Sequence, residues 1–106
     1  MGDRDGYWLA ATKDTVHLGG FSAQLPPALV VNSGDRVHVQ TFSGFGVYRQ
    51  APPEFVPPAF RQICEQLAGD RKVGPGPHLL TGPIAIQGAQ PGEVLEVRLD
   101  AITPSL

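Results

Sequence analysis

The sequence predicts an all-β fold, either a sandwich or jelly-roll-like arrangement or a partly open barrel, with one short helix near residues 57–68. Two observations lead to this prediction. The 106 residues include 13 Gly and 11 Pro. Because both residue types interrupt regular structure, short elements joined by many turns are expected. Short apolar or alternating segments recur between the turns, without the strand–helix alternation of βαβ units. The length is that of one domain, residues 1–106.

Three segments in the first half are typical of strands. Residues 15–18 end at a Gly-Gly pair, and residues 28–32 follow two prolines. Residues 35–41 alternate strictly, with valines on one face and Arg, His and Gln on the other, as in a half-buried strand. Asn-Ser-Gly-Asp at residues 32–35 is typical of a tight turn, in which Asp35 bonds locally. A hairpin between the second and third strands is therefore predicted.

The second half contains a helix and two further strands. Residues 42–56 have no period and are predicted to form a loop. Proline at the start and glycine at the end suit a helix over residues 57–68. Its apolar stripe at helical spacing consists of Phe60, Ile63, Cys64 and Leu67.

Glycines and prolines separate the two remaining strands. A rigid turn is predicted at residues 74–78, followed by a strand at 83–87 and a turn at Pro91-Gly92. The fifth strand is predicted over residues 93–102, which alternate in polarity. One face carries Leu95, Val97, Leu99 and Ala101, and the other carries Glu96, Arg98 and Asp100.

Charge and composition exclude several classes of protein. The net charge of −2 with interspersed acids and bases argues against nucleic-acid binding. No segment approaches the about 18 apolar residues of a membrane span. The first five residues lack the basic start and apolar run of a secretory signal. A single cysteine excludes an internal disulfide, so a cytoplasmic protein is expected.

Nucleophilic chemistry has little support in the sequence. Cys64, the one thiol, lies on the apolar stripe of the predicted helix, where cysteine behaves as a small hydrophobic residue. Core packing is therefore favoured over a nucleophilic role. No Gly-x-Ser-x-Gly elbow is present.

The three histidines differ in context. His17 and His38 are placed on polar strand faces, where solvated or hydrogen-bonded rings are favoured over metal ligands. They could still meet if their strands were neighbours. His78 lies between rigid Gly-Pro runs, which leaves a functional role and a turn-stabilising role equally open. Thr81 could cap that turn or contact a ligand, and capping is favoured.

One long segment resembles a known family. Residues 74–102 read GPGPHLLTGPIAIQGAQPGEVLEVRLDAI. They resemble a signature of the acetamidase/formamidase family, in which a Gly-Pro-His-x-Leu-Thr-Gly-Pro run precedes a Gly-Ala-x-Pro-Gly-(Asp/Glu)-x-Leu-x-Val run. Residues 25–37 also resemble the first hairpin of that family. The resemblance extends over most of residues 15–102.

The resemblance implies a largely β-sandwich fold and hydrolysis of short aliphatic amides to carboxylate and ammonia. It implies that His78 neighbours an active site whose loop Thr81 and Gly82 shape. Family members are much longer, and a later Gly-Asp-x-His-x-x-Gln-Gly-(Asp/Glu) run has no counterpart here. If that run supplies catalytic acids or ligands for a divalent metal ion, this chain lacks them. The end after the fifth strand suggests a fragment or a split gene product.

Three hypotheses follow from these patterns. The chain is an N-terminal portion of an amide hydrolase, active in a longer chain or beside a companion chain. Alternatively, it is a non-catalytic binding or oligomerisation module, which predicts exposed apolar surface and self-association. The third and least favoured hypothesis is a small metal hydrolase that uses His17, His38 and His78.

Overall fold

The computed structural model describes residues 6–104, so the expectation about a secretory signal, which rests on residues 1–5, lies outside the described residues. Three-residue strands dominate the regular structure, together with one α-helix and three short 3₁₀ helices. The strands are β1 (Tyr7–Leu9), β2 (Val16–Leu18), β3 (Leu29–Val31), β4 (Val37–Val39), β5 (Leu79–Thr81) and β6 (Ile84–Ile86). The α-helix is α1 (Pro58–Gln66), and the 3₁₀ helices are Phe45–Gln50, Pro53–Phe55 and Gly69–Arg71.

The strands pair in three two-stranded sheets. β1 pairs with β4 and β3 with β6, both in parallel, whereas β2 and β5 are antiparallel. The predicted hairpin between β3 and β4 is therefore wrong. The turn itself forms, because Asp35 N donates to Asn32 O at 3.0 Å and Asn32 N donates to Asp35 Oδ2 at 2.8 Å. Turn chemistry is local, but each flanking strand finds its partner far away in the sequence.

The predicted fifth strand does not form. Residues 93–102, called here the C-terminal segment, are exposed throughout and form no strand. No backbone hydrogen bond joins residues 94–104 to another residue that the structure describes. A strand exists only where a neighbour satisfies its N–H and C=O groups, and alternation in sequence cannot supply that neighbour.

Two strands and the three 3₁₀ helices were not predicted. β1 lies in a stretch without clear alternation, and β5 follows directly on the predicted turn at residues 74–78. Two 3₁₀ helices occupy most of the predicted loop at residues 42–56. These elements are three to six residues long, too short for a period to be recognised in the sequence.

The core forms where α1 packs against β2. The predicted helix is confirmed, and Ile63 and Val16 are fully buried. Phe60 of the same stripe packs on Phe42, with ring centroids 5.2 Å apart. The buried residues of the two adjoining clusters are Ala11, Val16, Leu18, Ile63 and Leu67, and Val56 and Phe60.

The architecture is β-rich with one short α-helix, as predicted. Within residues 6–104 the strands do not close into a barrel, because each sheet contains only two strands. No helix in this part of the chain is long and apolar enough to cross a membrane.

Candidate functional site

His17 lies at the centre of the candidate site, and its placement differs from the prediction. Sequence alternation puts its ring on a polar strand face, whereas the structure buries it, with 5% of the residue exposed. All three residues of β2 are buried. The neighbours Val16 and Leu18 belong to the core cluster, and His17 lines a pocket together with the loop after β2 and with β5. Side chains on both faces of β2 are therefore buried.

Among residues 6–104, the ring of His17 has one hydrogen-bond partner. Nδ1 lies 3.3 Å from the carbonyl oxygen of Gly82. Because a carbonyl oxygen only accepts, this contact places the ring proton on Nδ1, and in the uncharged ring Nε2 then carries a lone pair. No buried side-chain nitrogen or oxygen within the described residues lacks a partner. Nε2 is therefore not sealed in the core.

The residues that the resemblance assigns to a substrate loop lie beside this ring. Thr81 is the last residue of β5, and its Oγ1 donates to the carbonyl oxygen of Gln40 at 2.7 Å. Gly82 is buried, and its N–H donates to Thr15 O at 2.8 Å. Its φ of +142° favours glycine at this position. These contacts hold the loop in one conformation against β2.

A pocket of about 440 Å³ opens over the ring of His17. One side is formed by the loop after β2 and the other by β5 and Pro83. It is called the His17 pocket, and its lining consists of His17, Phe21, Ser22, Ala23, Leu80, Thr81 and Pro83.

The polar lining of the His17 pocket, all of it within the described residues, consists of groups that form hydrogen bonds, and it includes no Lys or Arg side chain. The hydroxyl oxygen of Thr81 retains lone pairs after donating its proton, and Ser22 Oγ accepts from Gln24 N at 3.2 Å. The Ser22 hydroxyl can therefore donate into the pocket. No Lys or Arg is among these lining residues, each of which the structure describes. The pocket suits a small uncharged polar molecule with an apolar group.

His78 lies outside the His17 pocket. Its side chain is exposed, and its carbonyl oxygen accepts from Gly19 N at 3.0 Å. Gly76 N donates to Gly19 O at 3.1 Å, so this turn is fastened to the end of β2 through backbone bonds. The described contacts of His78 are those of a turn, and its ring remains accessible to solvent.

The sheet pairing places His38 and His17 on different sheets. It lies on β4 and stacks on Trp8 of β1, with ring centroids 4.4 Å apart and planes 13° from parallel. His17 lies on a different sheet, opposite Leu80. Among residues 6–104, no three His, Cys, Asp or Glu side chains lie close enough to hold a metal ion. The hypothesis of a three-histidine hydrolase is not supported by this arrangement.

Cys64 packs in the second core cluster against Val56 and Phe60. Burial, reinforced by the neighbouring carboxylate of Glu65, raises the pKa of the Cys64 thiol, and Arg49 and Arg61 oppose this shift only in part. A raised pKa reduces the fraction of thiolate, which is the nucleophilic form. The prediction of a packing role for Cys64 agrees with this environment.

Sequence reasoning missed the loop that covers His17. Phe21 and Ser22 follow the Gly-Gly pair after β2, and Phe21 is 87% exposed at the rim of the His17 pocket. The sequence signal available for this loop was an aromatic residue directly after two glycines. A larger groove of about 580 Å³ lies along α1, but it contains none of the residues singled out from the sequence.

No family model, curated protein or solved structure matches this chain.

Proposed function

We propose that this chain supplies part of the substrate pocket of an amide hydrolase that acts on short aliphatic amides such as acetamide or formamide. The proposal rests on the sequence resemblance of residues 74–102 to acetamidases/formamidases. One structural observation supports it: Leu80, Thr81 and Pro83 of the resembling loop form a wall of the His17 pocket.

The lining of the His17 pocket matches the groups of a primary amide. Nε2 of His17 and Oγ1 of Thr81 can accept hydrogen bonds from an –NH₂ group, and the Ser22 hydroxyl can donate to a carbonyl oxygen. Phe21 and Leu80 offer apolar surface to a short alkyl chain. Because no cation lines the pocket, the carboxylate product would bind less well than the amide.

The proposal includes a second polypeptide segment, on the same chain or on a companion chain. Amide hydrolysis needs an activated nucleophile or a metal-bound water. In the described residues, the thiol of Cys64 is packed with a raised pKa and no metal-binding cluster exists. The missing acidic and histidine-containing run would supply the catalytic acids or the ligands of a divalent metal ion. A sandwich completed by that segment, and a cytoplasmic location, belong to the same proposal.

The test measures binding and turnover separately. Formamide, acetamide and propionamide are titrated into ¹⁵N-labelled chain while amide and His17 ring resonances are followed, and ammonia release is assayed with and without zinc. We expect saturable shifts at Leu80, Thr81 and Gly82, with no turnover by the 106-residue chain. Shifts that grow linearly with amide concentration, or that do not cluster at the pocket, would disprove the proposed pocket.

A matched pair of variants makes the test specific. Phe21→Ala removes an exposed ring from the pocket rim, and Phe55→Ala removes a ring of similar exposure, 74% against 87%, outside the pocket. Neither ring belongs to the core clusters, so both variants should fold. We expect Phe21→Ala to weaken acetamide binding several-fold and Phe55→Ala to leave it unchanged. Turnover by the wild-type chain alone would contradict the need for a second segment.

A second candidate function is a non-catalytic binding or oligomerisation module. The observation that favours it is the exposed apolar surface of the C-terminal segment, where Val94, Leu95, Val97, Leu99 and Ile102 are each 64–96% exposed. This module would self-associate without binding amides, so the amide titration and a sedimentation series separate the two functions.

A further inference from the structure

The C-terminal segment has the side-chain pattern of a strand, but no strand within residues 6–104 pairs with it. Leu95, Val97 and Leu99 are 64%, 70% and 76% exposed. Glu96 and Arg98 interact two residues apart, with Arg98 Nε 3.3 Å from Glu96 Oε2. Side chains at i and i+2 lie on the same side of an extended backbone and do not face each other on a helix. This contact fits an extended backbone, in which the apolar and the charged side chains of the segment lie on opposite faces.

One contact orients this segment relative to the rest of the chain. Asp100 Oδ2 lies 3.6 Å from Arg36 Nε, next to the start of β4. Asp100 is thereby directed at its own chain, whereas the side chains of Glu96 and Arg98 are exposed, as are the apolar side chains of the segment. The backbone N–H and C=O groups of residues 94–104 make no backbone hydrogen bond within the described part of the chain. An extended strand with an exposed apolar face and free backbone groups is a surface for pairing with another strand.

The charge pattern of this segment is complementary to that of a second copy of the same segment. If two copies pair antiparallel with Val97 opposite Val97, Glu96 of each copy lies opposite Arg98 of the other, which forms two ion pairs. In the same register Leu95 lies opposite Leu99, so the apolar face is continuous across both copies. A parallel in-register pair, or an antiparallel pair centred on Arg98, brings like charges together.

We propose that residues 94–100 form the two-fold interface of a homodimer, as an antiparallel strand pair centred on Val97. The interface is isologous, because each copy contributes the same seven residues. It adds backbone hydrogen bonds by strand addition and places six apolar side chains, three from each copy, on one face. The inference does not depend on amide binding.

Charge reversal tests the register in the full 106-residue chain. Glu96→Arg places Arg opposite Arg98, and Arg98→Glu places Glu opposite Glu96, so each variant alone should raise the dimer dissociation constant about tenfold or more. A mixture of the two variants restores both ion pairs and should dimerise like the wild type. All these side chains are exposed, and the substitutions leave the core clusters untouched. Sedimentation velocity over a concentration series provides the measurement.

Cysteine cross-linking tests the same register without charge changes. In a Cys64→Ser background, Val97→Cys places two thiols directly opposite each other, within the Cα separation that a disulfide tolerates. Leu99→Cys is the matched control, because its two copies would be separated by roughly 13 Å along the strands. We expect rapid oxidation to a covalent dimer for Val97→Cys only. A wild-type chain that stays monomeric at high concentration, or faster cross-linking through Leu99→Cys, would overturn the proposal.

Discussion

Helix α1 and the C-terminal segment both carry a clear apolar stripe in the sequence, but the stripe of α1 is buried and that of the C-terminal segment is exposed. Ile63 of α1 is fully buried, whereas Leu99 of the C-terminal segment is 76% exposed. The difference lies in what surrounds each stripe. Helix α1 satisfies its own backbone and can dock on β2 with its apolar side alone. An isolated strand cannot, because its backbone groups need a neighbouring strand before its side chains can pack.

The backbone contacts of the two regions differ in the same way. At the end of β2, Gly19 exchanges backbone hydrogen bonds with the turn at residues 74–78. In the C-terminal part of the chain, the last backbone bond among the described residues joins Glu93 N to Gln90 O at 3.2 Å. Backbone hydrogen bonds between residues distant in sequence therefore hold the region around β2, whereas the last backbone bond before the C-terminal segment is that of a local turn.

The largest expected effect comes from truncating one apolar residue in each region. Ile63→Ala removes a fully buried side chain and should lower the free energy of unfolding by about 2–5 kcal/mol, because lost burial and an unfilled cavity add together. Leu99→Ala should change it by less than about 0.5 kcal/mol. Urea unfolding at concentrations where the chain is monomeric measures both. Equal effects would mean that the C-terminal segment is packed after all.

Alanine substitution of two glycines, one in each region, tests how much the backbone contacts of that region contribute to stability. A Cβ on Gly19, at φ +95°, would lie 2.0 Å from the carbonyl oxygen of Gly74, so the two backbones must separate. Gly19→Ala should cost about 2–4 kcal/mol of stability, from backbone strain and the clash together. Gly92→Ala is the control, with a similar φ of +91° and open space around the site.

For Gly92→Ala the expected loss is within about 0.5 kcal/mol, since the exposed turn can relax without unfolding the core. Chemical denaturation followed by tryptophan fluorescence or circular dichroism distinguishes the two variants. A loss for Gly92→Ala as large as that for Gly19→Ala would show that the two regions unfold as one unit.

The smallest expected effect is a pH dependence confined to the core region. Burial raises the pKa of the Cys64 thiol above its ordinary value of 9.0. The unfolded chain therefore loses this proton at lower pH than the folded chain. The resulting contribution to stability is complete below about pH 9 and is lost as pH rises through the folded-state pKa.

The measurement is the free energy of unfolding from pH 7 to pH 10.5, in reductant, for the wild type and Cys64→Ala. The alanine variant cannot ionise there, so the difference between the two should shrink as the pH rises above 9. A difference that stays constant or grows would contradict the raised pKa.

Residue types alone indicated His78, whose side chain lies outside the His17 pocket. Thr81 and Gly82 were indicated by the resemblance of residues 74–102 to a known family, and Thr81 lines the His17 pocket. The burial of His17 was not predictable, because the alternation of a three-residue strand does not reveal that a following loop covers its second face. Phe21 and Ser22 were missed for the same reason.

Patterns among residues a few positions apart were enough to predict the β-rich class, helix α1, the Asn32–Asp35 turn and the packing role of Cys64. Strand pairing depended on the fold of the whole chain: β3 pairs with β6 and β4 with β1, and residues 94–104 make no backbone hydrogen bond to another described residue. Helix and turn hydrogen bonds close within about four residues, so their signals are local. Strand pairing joins residues tens of positions apart, and its choice depends on which surfaces meet when the whole chain packs.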